Sequence, residues 1–181
     1  MQDARLAAMS EDIKLSILAT QVGEALKRRG QLLTTAESCT GGWVAQTITS
    51  ISGSSQWFEA GFVTYSNRIK QQLLGVSANL LEGEGAPGAV SEETVLAMAR
   101  GAQQRAYADW AIAVSGIAGP GGAVAGKPVG MVWFGWAGPQ GKVATRHCQF
   151  DGDRTEVRYQ SVVVALEGLL ALLDQPDLYT G

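Results

Sequence analysis

The sequence predicts an α/β fold in which helices cover both faces of a mixed sheet. Helical and strand-like segments alternate through the first half of the chain, and a hairpin of two strands follows later. Apolar residues make up 46% of the 181 residues, which is enough for a buried core. A chain of this length fits one domain, so we expect residues 1–181 to form a single domain.

The first half reads as a helix followed by a strand–turn–helix unit and a second strand. Apolar residues with a helical period predict a helix at 10–29, with Ser10 as N-cap and Gly30 after its end. Small polar residues at 37–40 separate a strand from the next helix. The predicted elements that follow are a strand at 31–36, a helix at 41–51 and an alternating aromatic strand at 57–65.

The rest of the chain combines three more helices, a strand and a hairpin. Glycine and proline exclude regular structure from 82–90, and Ser91 is expected to cap the helix after it. Asp153 and Glu156 form a capping box for the last helix. The remaining predictions are a helix at 67–74, strands at 111–115, 129–137 and 143–150, a hairpin turn at 138–141 and a last helix at 154–173.

Composition and charge exclude several classes of function. A net charge of −3 gives no strong positive field for nucleic acid, so we expect no nucleic-acid partner. The longest apolar run, 162–173, is too short to span a membrane. Cys39 and Cys148 lack zinc-like spacing, and without a signal peptide they favour a reducing cytoplasm.

Ser38 is the first candidate for chemistry, because it lies at a strand-to-helix turn. The helix after it begins near Thr40, Gly41 and Gly42, where free N–H groups suit a phosphate or a developing oxyanion. From this segment alone, the alternative is that Ser38 and Thr40 are N-cap residues of that helix. Glu37 is expected either to orient a basic residue or to accept these N–H groups.

A nucleophilic serine needs a base, and lysine is the better candidate here. The single histidine, His147, lies on a predicted strand with no carboxylate to orient it. Lys70 follows a strand end on a short helix, although a solvated lysine is the simpler interpretation of that residue alone. Arg154 opposes the dipole at the start of the last helix, which indicates a ligand or carboxylate partner, whereas Arg158 suits a surface ion pair.

The loop at 115–122 is rich in glycine and follows a short apolar strand. Its backbone N–H groups are candidates to bind an oxyanion or a ribose, and a tight structural turn is the alternative. It has neither the dinucleotide fingerprint nor a Walker sequence. No cluster has convincing metal-ligand spacing, so the chemistry is expected to need no metal and no cofactor.

Five motifs occur together and in order. They are TAESCTGG at 35–42, GSS at 53–55, GFVTYSN at 61–67 with Lys70, GAVS at 88–91, and SGIAGPGG at 115–122 with KPVG at 127–130. Together they resemble the CinA C-terminal-domain family, the nicotinamide-nucleotide amidohydrolases, over nearly the whole chain. Ser115 stands where that family commonly has threonine, and Ile51-Ser52 replaces a proline-containing turn.

The resemblance implies a three-layer α/β/α sandwich with a mixed, mostly parallel sheet. It also implies hydrolysis of the carboxamide of nicotinamide mononucleotide, in a stand-alone form and usually in a homo-oligomer, a dimer or larger. Carried over by motif, Ser38 is the nucleophile, Lys70 its base, and Tyr65 and Arg154 support them. The residues expected to bind substrate are Glu37, Thr40, Gly41, Gly42, Ser115, Gly116, Ile117, Ala118 and Gly119.

Three points stay open at this level. Arg154 is expected either to bind the substrate phosphate or to lower the pKa of Lys70. A non-catalytic module that binds a nucleotide or a competence-related partner is the alternative from another class. An amidase acting on a different amide is the alternative among enzymes.

Overall fold

The computed structural model describes residues 2–175, with side chains from residue 9 onward. The helices are α1 (Gln2–Arg29), α2 (Trp43–Thr49), α3 (Asn67–Leu74), α4 (Ala78–Leu81), α5 (Glu92–Ala106) and α6 (Arg154–Asp174). The strands are β1 (Leu33–Glu37), β2 (Phe58–Val63), β3 (Trp110–Gly116), β4 (Met131–Ala137) and β5 (Val143–Gln149).

The five strands form one mixed sheet in the order β2-β1-β3-β4-β5. β1 pairs in parallel with both β2 and β3, whereas β4 is antiparallel to β3 and to β5. Four strands therefore run in one direction and β4 alone opposes them, which fits the predicted mixed α/β sheet. The carboxyl ends of β1, β2 and β3 meet at one edge, where ligands bind in folds of this kind.

Helices cover both faces of the sheet because the strands are apolar on both sides. Alternate residues of β3 contribute to different cores: Ile112 and Val114 face one core, and Ala111 and Ala113 face the other. The first core also contains residues of α1, α2 and α6, and the second contains residues of α3, α4 and α5. The result is the expected arrangement of helix, sheet and helix layers.

One glycine allows α5 to approach α3 closely. A methyl group on Gly101 would overlap the carbonyl of Leu74, so only glycine fits this position without a shift of the backbone. Since α3 carries Lys70, this contact helps to fix where that side chain lies.

The predicted caps of the later helices are confirmed. Ser91 accepts a hydrogen bond from the Thr94 N–H, and Asp153 with Glu156 forms the capping box of α6. The prediction of Ser10 as N-cap is wrong, because α1 already begins at Gln2 and the residues before Ser10 are mostly good helix formers. The single-turn helix α4 was not predicted, since four residues carry no readable period.

None of the helices within residues 2–175 is long and apolar enough to cross a membrane.

Candidate active site

Ser38 directly follows β1 at the edge where the parallel strands end. β1 pairs with β3 so that Glu37 lies opposite Val114, and the Ser38 N–H donates to the Val114 carbonyl at 2.9 Å. The register therefore brings Ser38 beside the loop that begins at Ser115. Ser38 itself is buried, with only 9% of its surface exposed.

Lys70 reaches Ser38 across the turn between β2 and α3. Ser66 caps α3 by accepting the Ile69 N–H, which places Lys70 in the first turns of that helix. Its Nζ lies 3.0 Å from Ser38 Oγ and also donates to the Thr64 carbonyl at 2.8 Å and the Tyr65 carbonyl at 3.4 Å. The structure thus brings together the two residues that the sequence paired.

Burial makes Lys70 a candidate base near neutral pH. The side chain is 1% exposed, and this desolvation lowers the pKa of Lys70 from 10.5 to about 8. The neighbouring Cys39 has the weaker, opposite effect on that pKa. The lowered pKa has burial as its cause, so Arg154 is not needed to explain it.

Cys39 does not compete with Ser38 as a nucleophile. Burial raises the pKa of the Cys39 thiol to about 12, with a smaller contribution from the charge of Glu37. The thiolate is the reactive form of cysteine, so this thiol stays inert at physiological pH.

Glu37 occupies the start of α2 with its own carboxylate. One oxygen accepts the Thr40 hydroxyl at 2.7 Å and the N–H groups of Gly42 and Val44 at 3.0 Å, and the other accepts the Ala45 N–H at 2.8 Å. Of the two roles considered for Glu37, the structure shows the acceptance of backbone N–H groups.

The hydrogen-bond donors at the start of α2 are therefore bonded within the protein and not left for the expected substrate. Gly42 N–H and the Thr40 hydroxyl donate to Glu37, and Gly41 N–H donates to the Ser38 carbonyl at 3.0 Å. Because a buried carboxylate at a helix N-terminus satisfies these donors, they are not free to bind a phosphate. A direct contact of Thr40, Gly41 or Gly42 with substrate stays a prediction.

Arg154 and Tyr65 form an exposed wall of the cleft. Arg154 is the first residue of α6, and its guanidinium donates to the Gly119 carbonyl at 2.7 Å and to the Tyr65 hydroxyl at 3.0 Å. The cleft has a volume of about 270 Å³ and includes Ser38, Lys70 and both wall residues. That size fits a small molecule.

The loop at 115–119 forms the facing side of the cleft. Ser115, Gly116, Ile117, Ala118 and Gly119 all line the same cleft as Ser38, and their binding of substrate stays a prediction. The Ser115 hydroxyl is already bonded to the Ala89 carbonyl at 2.7 Å, which ties this loop to the segment before α5.

Sequence reasoning missed the role of one arginine and the position of several cleft residues. Arg158 was expected in a surface ion pair, but its guanidinium donates to the carbonyls of Cys39 and Thr40 at 3.1 and 2.9 Å. Its spacing of four residues from Arg154 on a helix was the available signal. Asn67 and the 89–90 segment also line the cleft without having been predicted.

His147 lies outside the cleft. It is exposed on β5, and the centre of its ring lies 5.1 Å from that of the Trp133 ring. Within residues 2–175, no group of three or more histidine, cysteine, aspartate or glutamate side chains is placed to hold a metal ion.

Comparison with known proteins shows which family the chain resembles. A model of the CinA C-terminal domain matches residues 15–173. The chain is 54% identical to the nicotinamide-nucleotide amidohydrolase PncC of Escherichia coli K12 over 158 residues, which cover 87% of this chain and 94% of that protein. It is also 54% identical to PncC of Pseudomonas putida, over 87% of this chain and 96% of that protein.

Solved structures agree with this assignment. The competence/damage-inducible protein CihA of Agrobacterium tumefaciens superposes with a TM-score of 0.84 and 44% identity, covering 90% of this chain and 96% of that one. A CinA-superfamily protein of Klebsiella pneumoniae gives 0.82 and 40%, over 88% and 97%. The family model, the sequence identity and the shared fold together show that the chain belongs to the CinA C-terminal domain family.

Proposed function

We propose that this protein hydrolyses the carboxamide of nicotinamide mononucleotide to nicotinic acid mononucleotide and ammonia. The observation that carries the proposal is the 3.0 Å contact between Lys70 Nζ and Ser38 Oγ at the floor of the cleft. Relatives at 54% identity are named nicotinamide-nucleotide amidohydrolases, which supports the choice of substrate.

The surroundings of Lys70 can serve the neutral amine that the proposed mechanism needs as well as an ammonium ion. A neutral amine has two N–H bonds and one lone pair. The carbonyls of Thr64 and Tyr65 account for the two N–H bonds, at 2.8 and 3.4 Å. The third position faces Ser38 Oγ, so the lone pair is directed at the hydroxyl proton that has to be removed.

The reaction proceeds by acyl transfer. Lys70 takes the Ser38 proton while Ser38 Oγ attacks the carboxamide carbon, which gives a tetrahedral intermediate with a negative oxygen. Lys70 then returns the proton to the amide nitrogen, the C–N bond breaks and ammonia leaves. A water molecule, deprotonated by Lys70, cleaves the resulting ester and restores Ser38. These steps use no metal and no cofactor, so a chelator should leave activity unchanged.

Backbone N–H groups are the proposed donors to the negative oxygen. The Ser38 N–H is already bonded to Val114, so the donors come from the residues just after Ser38 or from the loop at 115–119. Removing one donor of this kind costs about 10²–10³ in rate.

Arg154 is the proposed ligand of the substrate phosphate. It lies exposed at the cleft wall and is a cation with a planar fork that suits phosphate oxygens. Tyr65, bonded to Arg154 through its hydroxyl, holds that guanidinium and offers an exposed ring beside the cleft. On this proposal both residues bind and orient substrate, while proton transfer belongs to Lys70.

An ammonia-release assay across several amides tests the proposal. Wild-type protein should release ammonia from nicotinamide mononucleotide much faster than from nicotinamide riboside, nicotinamide or glutamine. Ser38→Ala should abolish release while still binding nicotinamide mononucleotide, and Ser55→Ala, at an exposed serine, should act like wild type. Faster ammonia release from another of these amides would show that the other amide is the substrate. Binding without any release would indicate a non-catalytic nucleotide-binding module.

The proposal also covers the oligomeric state of the protein and its cellular compartment. We propose a homo-oligomer, a dimer or larger, in the cytoplasm. Cys39 and Cys148 are both free thiols, which agrees with a reducing compartment. Light scattering on the purified protein would measure the assembly, and a monomeric mass would contradict it.

A further inference from the structure

Arg158 connects α6 to the turn that carries the nucleophile. Its Nε donates to the Cys39 carbonyl at 3.1 Å and its Nη2 to the Thr40 carbonyl at 2.9 Å. The guanidinium also lies over the Trp43 ring, at 5.3 Å from its centre. Two consecutive peptide groups after Ser38 are therefore held by one rigid side chain.

The orientation of these carbonyls fixes the orientation of the neighbouring N–H groups. In a trans peptide, the C=O and the N–H point in opposite directions. Holding the Cys39 carbonyl therefore turns the Thr40 N–H away from α6. Holding the Thr40 carbonyl fixes the Gly41 N–H, which donates to the Ser38 carbonyl at 3.0 Å. That bond in turn fixes the peptide that contains the Cys39 N–H.

The N–H groups of Cys39 and Thr40 are the two donors left over in this turn. Within residues 2–175 neither N–H donates to another residue, and the Cys39 N–H has only its own thiol beside it, whereas the N–H groups of Ser38, Gly41 and Gly42 all have acceptors in other residues. Cys39 lines the cleft next to Ser38. Buried backbone donors are nearly always paired, so a pair without acceptors in other residues beside a nucleophile indicates a site for an oxyanion.

We propose that Arg158 is a positioning residue that aims the N–H groups of Cys39 and Thr40 at the oxygen of the tetrahedral intermediate. The inference rests on the proposed amide hydrolysis and adds to it which donors act and what holds them. Arg158 touches neither substrate nor Ser38 Oγ in this role. It acts through the peptides that its two hydrogen bonds fix.

Lysine cannot replace arginine here, which provides the test. Lysine keeps the positive charge and contact with the Trp43 ring, but its single ammonium does not reproduce a planar fork that bonds two carbonyls in fixed directions. Arg158→Lys should lower kcat for nicotinamide mononucleotide ten- to a hundred-fold, below the loss for complete removal of a donor. KM should change less than about three-fold, since one donor pair serves mainly the transition state. Trp43→Phe, the matched control, keeps both hydrogen bonds and should keep kcat.

Two further readouts separate positioning from general damage. The pH at which kcat/KM reaches half its maximum should be the same in wild type and Arg158→Lys, because Lys70 is untouched. Amide hydrogen exchange of the 38–43 segment, followed by mass spectrometry, should be faster in Arg158→Lys than in wild type and Trp43→Phe. Together these results would establish the role of Arg158.

Other results would overturn it. An unchanged kcat in Arg158→Lys excludes a positioning role. If kcat/KM falls because KM rises, Arg158 acts in substrate binding instead. If the pH profile shifts, Arg158 acts on Lys70. If wild type releases no ammonia from nicotinamide mononucleotide, the proposed function fails on its own. Hydrogen exchange then still decides whether Arg158 holds the turn, and unchanged exchange in the variant refutes that.

Discussion

The pH dependence of kcat/KM is the most direct test of Lys70 as the general base. The perturbation is pH itself, and the expected size follows from the structure. Burial lowers the pKa of Lys70 to about 8, and only the neutral amine can accept the Ser38 proton. Activity should therefore follow the neutral fraction of this one group.

The magnitude follows from that pKa. With a pKa of about 8, roughly one Lys70 in thirty is neutral at pH 6.5, about one in eleven at pH 7, and nearly all at pH 9.5. We expect kcat/KM for nicotinamide mononucleotide to rise about 30-fold between pH 6.5 and 9.5 and to level off above pH 8.5. Working above pH 6.5 keeps most of the substrate phosphate in its dianionic form, since its second pKa is about 6.

The assay measures initial ammonia release at low substrate concentration, where the rate reports the free enzyme. Lys70→Arg is the matched control: arginine stays protonated throughout this range, so no rising activity is expected from it. A flat profile in wild type from pH 6.5 to 9.5 would refute Lys70 as the base. A rise centred near 10.5 would show that burial does not lower its pKa in solution.

Two further predictions concern stability. Because the pKa of Lys70 is lowered in the folded protein, this residue holds more protons in the unfolded chain between pH 8 and 10.5. The Lys70 contribution to stability should therefore rise across that window by at most about 3 kcal/mol, while Cys39, whose pKa burial raises, contributes an opposite change in wild type and in a Lys70 variant alike. Lys70→Met should lack this rise in urea unfolding, and parallel curves for the two proteins would contradict it. Glu37→Gln should destabilise by at least about 2 kcal/mol, since an amide oxygen cannot accept all five donors that the carboxylate accepts. Exposed Glu59→Gln should change the unfolding midpoint little, and equal midpoints for the two variants would refute the role of Glu37.

Local signals in the sequence were sufficient for most elements of the fold. The alternating aromatic pattern of β2 and the caps at Ser91 and Asp153 depend on residues only a few positions apart, so they can be read directly. The early start of α1 was missed because the polar Ser10 resembles a cap but lies inside a longer helix. A polar residue marks a helix start only where the chain before it is not helical.

The contacts within the site could not be predicted from the sequence, because they join residues that are far apart in the chain. Ser38 and Lys70 are 32 residues apart, and their contact depends on the parallel pairing of β1 with β2 and on the turn after β2. Arg158 lies more than a hundred residues from the carbonyls it bonds. The motifs indicated which residues matter, but only the sheet order and the packing of α6 determine which atoms meet.

The direction of the Glu37 carboxylate decides what Lys70 can do. A carboxylate paired with Lys70 would favour the ammonium form, raise its pKa and remove the base at neutral pH. Glu37 instead accepts the N–H groups at the start of α2, where a negative charge is stabilised by the helix. Lys70 is left with two neutral carbonyls and Ser38 as its hydrogen-bond partners. On the proposed mechanism, Glu37 therefore keeps its charge on the helix and away from the amine that has to accept the Ser38 proton.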